Sequence, residues 1–215
     1  ILLDLEQRNR SFQNVAIMYE SIFQKLKSNY QKMDINLSKD KSIGRFIVQY
    51  QETDWEFCKR MASHFNTCLI PYFKSGDIRA LVGIQKETKQ GTIHSVDLLT
   101  EYHFNVDKNA SNKDGSMVSI RSREIYDLGD WVVYQGKNYY IYQVHSTISG
   151  AELIHTYNLR TEAGFYETEI ANFQLPGVSL DGTILAVAGS MVKVKLNIDA
   201  EQSIGTAKWF PYSTV

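Results

Sequence analysis

The spacing of hydrophobic positions in the N-terminal part of the chain is first helical and then strand-like. In residues 15–30 the apolar side chains recur three and four positions apart, which predicts an amphipathic helix capped by Asn14 or Ser11. Residues 34–44 are mostly polar and predict a connector. Residues 45–51, RFIVQYQ, alternate and include β-branched side chains, so we predict a strand there.

A helix-start signal follows this strand directly. Residues 53–56 read TDWE, a capping box in which the threonine and glutamate side chains each accept a hydrogen bond from the other residue's backbone amide. Asp54 adds a negative charge at the helix N-terminus, and the spacing of Glu56 and Arg60 favours an ion pair. We predict a helix over residues 53–66. Its inner face is expected to carry Trp55, Cys58, Met61, Ala62 and Phe65, with Trp55, Phe57 and Met61 anchoring the helix to an adjacent barrel.

The central part of the chain is predicted to be mainly β. Residues 68–73 and 79–85 form a predicted hairpin, with Pro71 on an edge strand. Residues 107–116 have the composition of a loop. From residue 119 to 159 strand-like segments are separated by LGD, GK and SG turn signals, which favours a small closed or half-closed antiparallel barrel.

The C-terminal part predicts one further hairpin. Residues 182–199 turn around Ala188-Gly189-Ser190, and their pattern of a glycine turn followed by VKVKL is typical of the opening of an OB fold. The predicted fold class is α+β, mainly β: a small antiparallel barrel with packed helices, followed by the start of an OB-fold domain. The predicted domains are a helical segment over 1–44, a barrel-like domain over 45–175 containing the helix at 53–66, and the beginning of an OB-fold domain over 176–215.

Composition limits the function only in part. The net charge of −1 does not favour general attraction to nucleic acid or to an anionic membrane. Aromatic residues make up 12% of the chain and thirteen of them are tyrosines, which suit half-exposed strands and protein interfaces. No run approaches the roughly twenty apolar residues of a membrane span. We therefore expect no membrane insertion by this region.

The candidate chemistry is sparse. The histidines lack metal-ligand spacing and no phosphate-binding glycine motif occurs, so we expect no metal and no cofactor. His145 and His155 lie on neighbouring predicted strands and could approach each other. Cys58 and His64 are six residues apart on one predicted helix and should point to different faces, which argues against a nucleophile pair.

The residue types leave two other functions as alternatives. Glu52, Asp54 and Glu56 lie close together, as the paired carboxylates of an enzyme that cleaves peptidoglycan or another glycan would. The OB-like end carries Lys193 and Lys195 near Trp209, as a binder of single-stranded nucleic acid would. We expect neither, because the first set is explained by helix capping and the second by ordinary strand alternation.

The capped segment also carries a family resemblance. Residues 48–66 resemble the QY-x-E-[TS]-D-x-x-F-x-x-R-x-A segment of the central hub proteins of contractile injection machines, which include the phage late control protein D group, phage baseplate hubs and the VgrG proteins of type VI secretion. Residues 8–22 resemble the helix leading out of the first barrel in hubs of Gram-positive prophages, and residues 128–159 resemble their second barrel. The matching residues in the capped segment are Gln49, Tyr50, Glu52, Thr53, Asp54, Phe57, Arg60 and Ala62.

The resemblance implies a structural protein rather than an enzyme. It implies a homotrimer in a virion or tail-like particle assembled in the bacterial cytoplasm, where it joins the hexameric tail tube to the trimeric spike and contacts baseplate proteins, with no nucleic acid as partner. Most of the first barrel, the needle and any lysin domain are expected to lie outside this stretch. The expected cap and packing residues are Gln49, Tyr50, Glu52, Thr53, Asp54, Trp55, Glu56, Phe57, Arg60 and Met61, and the expected inter-domain contacts are Trp209, Phe210 and Pro211.

Overall fold

The computed structural model describes residues 5–27, 33–37, 40–72, 78–84, 89–96, 101–104 and 116–213. Of the loop predicted over 107–116, residues 107–115 lie outside the described residues, and Ser116 is the first residue of a strand. The elements, in chain order, are β1 (Gln7–Phe12), α1 (Tyr19–Lys27), β2 (Met33–Leu37), β3 (Ile47–Thr53), α2 (Asp54–Ser63), β4 (Leu69–Tyr72), β5 (Ile78–Val82), β6 (Lys89–Thr92), β7 (Glu101–Phe104), β8 (Ser116–Ser122), β9 (Trp131–Tyr134), β10 (Lys137–Ser149), β11 (Glu152–Arg160), a 3₁₀ helix (Glu162–Phe165), β12 (Gly182–Ala188), β13 (Met191–Leu196) and β14 (Trp209–Pro211).

The chain divides into two compact units that are not contiguous in sequence. The first is built from Ile1–Tyr30, Lys39–Met61 and Glu169–Val215, and the second from Gln31–Ser38 and Ala62–Thr168. The boundaries of these two units differ from those of the three domains predicted from the sequence. The three-domain division stays a prediction.

In the first unit, β1 and β3 form an antiparallel pair that leads into α2. The alternation of residues 45–51 correctly predicted β3. On the side of α2 that faces β1, the ring of Phe57 is fully buried and stacks on Phe12 with 5.6 Å between ring centroids. Cys58 and Met61 are also fully buried, whereas Trp55 is only half-buried. Stacked aromatic rings contribute beyond the area they bury, so this pair holds the helix on the strand.

Helix α1 begins later than the sequence pattern predicted. It starts at Tyr19, because the carbonyls of Val15 and Ile17 accept hydrogen bonds of 2.9 Å from the amides of Gly44 and Ile43. These long-range bonds hold the backbone before Tyr19 out of a helical conformation. The buried side chains of α1 are Tyr19, Ile22, Phe23 and Leu26, all members of the predicted apolar stripe.

Both suggested caps of α1 are wrong. Ser11 belongs to β1, and the side chain of Asn14 accepts a bond from the amide of Ala16, within a turn that precedes the helix. Asp40 caps the first turn of α1 instead, since its carboxylate accepts a 3.3 Å hydrogen bond from the amide of Glu20. A residue twenty positions away in sequence therefore replaces the local cap.

The terminal three-stranded sheet of the first unit has the order β12-β13-β14. The hairpin predicted around residues 188–190 is present, with Gly189 in the left-handed region at a φ of 56°. Gly182 allows close strand approach, since a Cβ there would come within 2.4 Å of the Val194 side chain. The ring of Phe210, on β14, meets that of Phe46 edge-on at 5.3 Å.

The second unit contains a six-stranded sheet with the order β6-β9-β10-β11-β8-β7. The antiparallel run from β9 to β11, with β8 beside β11, is the meander that the turn signals predicted. The two end strands, β6 and β7, are not paired with each other, so the ladders of the described residues do not close into a barrel. One face carries a core made of Ile93, Val118, Ile120, Val132, Tyr134, Tyr139, Ile141, Tyr157 and Leu159.

A second sheet of this unit has the order β2-β5-β4. The predicted hairpin is present as β4 and β5, and Pro71 lies on the edge strand β4 as expected. The connector predicted over 34–44 is wrong in its first part, because β2 pairs in parallel with β5. Parallel pairing with a segment 45 residues away leaves no local signal in the sequence.

The fold class is confirmed as α+β, mainly β. Neither of the helices within the described ranges has the length and hydrophobicity needed to cross a membrane.

Replacing Phe57 by Ala should destabilise the protein by about 3–5 kcal/mol, because the ring is fully buried and its loss leaves a cavity against Phe12. The measurement is the midpoint of chemical denaturation. As a control, Lys59→Ala on the exposed side of the same helix should change the stability by no more than about 0.5 kcal/mol. A midpoint unaffected by Phe57→Ala would contradict the packing described here.

Candidate functional site

The residues of the capped segment converge on a buried polar cluster formed by β1, β3 and α2. At its centre the carboxylate of Asp54, which is fully buried, contacts Nη2 of Arg10 and lies 3.3 Å from Nε of Arg8. The side-chain amide of Gln49 donates a 2.9 Å hydrogen bond to the same carboxylate. Two hydrogen-bond donors, Arg10 and Gln49, and the nearby guanidinium of Arg8 therefore surround one buried negative charge, as a buried charge requires.

A second buried ion pair lies beside the first. Arg60 donates 2.7 Å hydrogen bonds through Nε and Nη2 to the two carboxylate oxygens of Glu52, and its Nη2 also bonds the carbonyl of Val48 at 2.7 Å. The fork geometry is the strong, bidentate form of an arginine–carboxylate pair. The pairing of Arg60 with Glu56 predicted from spacing is wrong, because Glu52 lies on the buried side and Glu56 on the exposed one.

Glu56 serves the helix start instead. Its Oε2 accepts a 2.8 Å hydrogen bond from the amide of Thr53, and the Thr53 hydroxyl accepts a 3.1 Å bond from the amide of Glu56. The capping box therefore forms at the point where the chain passes from β3 to α2. The neighbouring Tyr50 is half-buried, and its carbonyl accepts a 2.9 Å bond from the side chain of Asn172.

Strand β1 has a different set of contacts on each face. Its residues Arg10 and Phe12 contact α2. Ser11 on the other face contacts Asp199, which follows β13, and Gln13, directly after the strand, contacts β13 itself. The β1 strand is therefore the element that connects the capped helix with the terminal sheet inside the first unit.

The contacts from the end of β1 to the terminal sheet and to Asp199 are polar and partly buried. The carboxylate of Asp199 accepts a 2.6 Å bond from the amide of Ser11 and a 2.5 Å bond from its hydroxyl. The amide of Gln13, which is only 2% exposed, donates to the carbonyl of Val194 at 3.0 Å and accepts from the amide of Lys208 at 3.1 Å. Both ends of a buried side-chain amide are thus satisfied by backbone groups of the terminal sheet.

The structure gives no support to a cysteine nucleophile in α2. Burial, reinforced by the nearby carboxylate of Asp54, raises the pKa of the Cys58 thiol well above its ordinary value. Cys68 is similar, since burial raises the pKa of its thiol to about 11. A reactive cysteine needs a lowered pKa, so both behave as packed thiols.

The candidate carboxylates of a glycan-cleaving enzyme lie near an open cavity. A space of about 370 Å³ is lined by Glu52 and Glu56 together with Gln51, Lys59 and Phe173, among others. Both carboxylates are already engaged, by Arg60 and by the cap, and Asp54 is not among the residues that line the space. Each carboxylate is therefore committed to a structural contact, whereas a catalytic acid is normally held in an apolar setting with its proton available for transfer.

The two histidines on neighbouring strands are not directly opposed. His145 faces Thr156 across the ladder, and the buried His155 faces Ser146, whose hydroxyl oxygen lies 2.7 Å from Nδ1. Within the described part of the chain, no group of three or more histidine, cysteine, aspartate or glutamate side chains is placed to hold a metal ion.

The C-terminal residues proposed as inter-domain contacts form β14. Trp209 is 38% exposed, Pro211 is exposed and Phe210 is half-buried against Phe46. Lys193 lies 5.1 Å from the ring centre of Trp209 and donates a 2.5 Å bond to the carbonyl of Ile204. These bonds place Lys193 in the packing of the sheet, which weakens its case as a contact for nucleic acid.

The sequence reasoning missed the residues that hold the cluster from β1. Residues 8–22 were interpreted as a helix, whereas residues 7–12 form a strand that supplies Arg8, Arg10 and Ser11. The period-2 alternation in RNRSFQ was the available signal. Asp199 has no comparable signal, because its partner Ser11 lies 188 residues earlier.

Comparison with known proteins adds one decisive observation about the fold. No protein-family model and no curated protein matches the chain. Among solved structures, the chain is similar to the E. coli protein c3393, described as a component of the type VI secretion system with structural similarity to the T4 bacteriophage tail proteins gp27 and gp5. The identity is 14% and the TM-score 0.63, over 97% of this chain and 68% of that one. The chain has a phage tail protein fold.

Two further structures share the tail protein fold. A tail protein from Neisseria meningitidis MC58 is 10% identical with a TM-score of 0.57, and the similarity covers 76% of this chain and 72% of that one. The 43 kDa tail protein of prophage MuSo2 from Shewanella oneidensis is 9% identical with a TM-score of 0.52, over 73% of this chain and 68% of that one. At such low identities the comparison establishes the fold, and the role belongs to a proposal.

Replacing Gln13 by Leu should loosen the terminal sheet, because the carbonyl of Val194 and the amide of Lys208 would lose a partner that is itself buried. Leaving such groups unpaired costs about 1–3 kcal/mol, so exchange of the Lys208 amide should accelerate by about tenfold or more. Site-resolved hydrogen exchange is the measurement, and Gln24→Leu on the exposed side of α1 is the matched control. Unchanged exchange at Lys208 would show that Gln13 does not hold the sheet.

Proposed function

We propose that the chain is a structural hub component of a contractile phage tail or a phage-tail-like injection particle. In this role it works as a homotrimer that joins the hexameric tail tube to the trimeric spike and contacts baseplate proteins, as in the late control protein D and VgrG-like hubs. The observation that carries the proposal is the similarity of 97% of the chain to c3393, whose description concerns type VI secretion and phage tail proteins.

The chemistry of the first unit supports a mechanical role. Its buried and partly buried carboxylates hold elements together: Asp54 is bound to β1, Glu52 to Arg60, and the partly buried Asp199 to Ser11. Bidentate pairs and capped helix ends resist displacement, and these carboxylates are held in structural contacts. We therefore propose that the protein is not an enzyme.

Exposed apolar side chains support assembly with other subunits. Ile148 and Phe173 are 80% and 87% exposed, and β12 is an edge strand in which Ile184 and Val187 are also exposed. Large exposed apolar groups and uncovered strand edges are features of surfaces that bind partners. They suit a subunit that acts inside a virion or tail-like particle, assembled in the bacterial cytoplasm from a prophage of the Gram-positive type.

The mass of the full-length protein in solution tests the proposed hub role. The proposal predicts three copies, because a hub that receives a trimeric spike has threefold symmetry. Analytical ultracentrifugation or mass photometry reports the copy number directly. A stable monomer or dimer of the full-length chain would contradict it.

The cavity beside Glu52 makes glycan cleavage the second candidate function. Incubation with purified cell wall distinguishes the two roles: the structural proposal predicts no release of reducing ends by the wild-type protein. Release that Glu52→Gln abolishes, while Gln24→Leu retains it, would replace the structural proposal with the enzymatic one.

A further inference from the structure

We propose that His155 makes the outer part of the β10–β11 hairpin sensitive to acid, a property that goes beyond the hub role. This outer hairpin comprises residues 146–155 and lies in the second unit. Its two strands are joined by Gly150 and Ala151, which are both in the left-handed region at φ angles of 61° and 79°. Such a two-residue turn matches the twist of the flanking strands and fixes their register.

The outer hairpin extends beyond the strands on either side of it. The ladder between β9 and β10 ends at Tyr140, and the ladder between β8 and β11 ends where Ser122 lies opposite His155. In the described ladders, residues 146–154 therefore pair with residues of the same hairpin and with no third strand. A two-stranded ribbon is marginally stable by itself, so this part can open while the rest of the six-stranded sheet stays in place.

Side-chain packing adds little to the stability of the outer hairpin. Of its residues, all of which the structure describes, only Ile154 and His155 are buried. Ile148 and Leu153, directly opposite each other, are 80% and 50% exposed. His155 lies where the hairpin meets the core of the sheet, and its ring centre is 5.8 Å from that of the core residue Tyr157. The hydrogen bonds of His155 therefore decide how firmly the hairpin stays closed.

One ring nitrogen of His155 has a hydrogen-bond partner and the other has none. Nδ1 lies 2.7 Å from the hydroxyl oxygen of Ser146, the residue opposite it in the ladder. Nε2 is buried and has no hydrogen-bond partner among the described residues. Proteins tolerate a buried acceptor without a partner more readily than a buried N–H, so the neutral ring carries its proton on Nδ1 and donates it to Ser146.

Acid adds a second N–H to this ring. A protonated imidazole has N–H groups at both nitrogens, so the new proton binds Nε2, which is buried and without an acceptor in the closed hairpin. A buried donor left unpaired is costly, and opening of the hairpin removes that cost by bringing Nε2 to water. Histidine changes its charge between roughly pH 5 and 8. The closed hairpin is therefore favoured at the upper end of this range and loses stability as the pH falls.

The groups on the β8 side of His155 are bonded to one another. Ser122 accepts a 3.2 Å hydrogen bond from the amide of Glu124. The carboxylate of Glu124 accepts bonds from the amide of His94, at 2.9 Å, and from the hydroxyl of Tyr126, at 3.4 Å, and lies 3.0 Å from Nδ1 of His94. The negative charge of Glu124 attracts a protonated His155, but its oxygens keep these partners. His94 titrates in the same pH range, so the test below includes it as a control.

The other titratable groups at this end of the sheet are engaged as well. Arg123 donates hydrogen bonds of 3.0 and 2.7 Å to Glu152, which strand alternation places on the opposite face from His155. The hydroxyl of Tyr157 is bonded to two backbone groups of the segment after β8, and the carboxylate of Asp130 accepts a 2.9 Å bond from a backbone amide of the turn before β9. Protonation therefore leaves the Nε2–H group unpaired for as long as the hairpin is closed.

Opening would uncover Ile154 and the backbone groups of both strands. Unpaired strand backbone and apolar side chains are the groups that a further strand can bind. The device therefore makes the outer hairpin available for binding in acid and keeps it closed at neutral pH.

Site-resolved hydrogen exchange at about pH 7.5 and about pH 5 tests the proposal. After correction for the intrinsic pH dependence of exchange, the amides of the outer hairpin should lose protection by at least about fivefold at the lower pH. The amides of β9 serve as the reference and should keep their protection. A nitrogen spectrum of the imidazole rings, with His155 assigned by its loss in His155→Gln, should show this ring becoming protonated over the same range.

Three variants assign the effect to one histidine. His155→Gln should abolish the pH dependence of protection, because glutamine does not titrate in this range. His145→Gln, at an exposed position on the neighbouring strand, should retain the dependence. His94→Gln, which removes the imidazole beside Glu124, should retain it too.

The proposal is overturned by equal protection of the hairpin at both pH values, by protonation of His155 without loss of protection or the reverse, or by a loss in His155→Gln as large as in the wild type. The first two readouts use the wild-type protein, so they decide the matter even if the variant does not fold. The test reports a local opening and does not depend on the copy number, so it can fail while the hub proposal stands, and the reverse.

Discussion

A carboxylate can be removed from water only where other groups replace the lost hydration, and Asp54 meets that condition in the first unit. Its side chain is fully buried, and it is held by Arg10, Arg8 and Gln49. Desolvating an isolated charge costs several kcal/mol, so the cluster is stable only when β1, β3 and α2 are all in place. The buried charge therefore destabilises any arrangement in which β1, β3 and α2 are not packed together.

The same strand extends this dependence to the terminal sheet. Arg10 and Phe12 secure α2, and the alternate residues Ser11 and Gln13 secure Asp199 and the backbone of β13. Strand β1 is bound by hydrogen bonds on one face and by an ion pair and a stacked aromatic ring on the other. A displacement of α2 should therefore move the terminal sheet with it. That property fits the proposed role of a tail component, in which stiffness matters more than turnover.

Features with local signals could be predicted from the sequence, and features made by distant residues could not. The capping residues Thr53 and Glu56 are three positions apart, and the strands β9 to β11 show their alternation directly. The start of α1 was wrong because Ile43 and Gly44 bind the preceding turn from about 27 residues away. In the cluster, the spacing of four residues predicted an ion pair between Arg60 and Glu56. The structure pairs Arg60 with Glu52, because Glu52 is the buried carboxylate of the two. Burial is a property of the assembled fold, and a single sequence does not display it.

A double-substitution cycle on Asp54 and Arg10 tests the central claim most directly. Asp54→Asn and Arg10→Met are made singly and together, and the free energy of unfolding is measured for all four proteins. Each single change should cost about 3–5 kcal/mol, because it removes one half of a direct ion pair that involves the buried Asp54. The double variant should be less destabilised than the sum by more than about 1 kcal/mol. Strictly additive effects would show that the two residues do not act together, and the account of the buried cluster would be wrong.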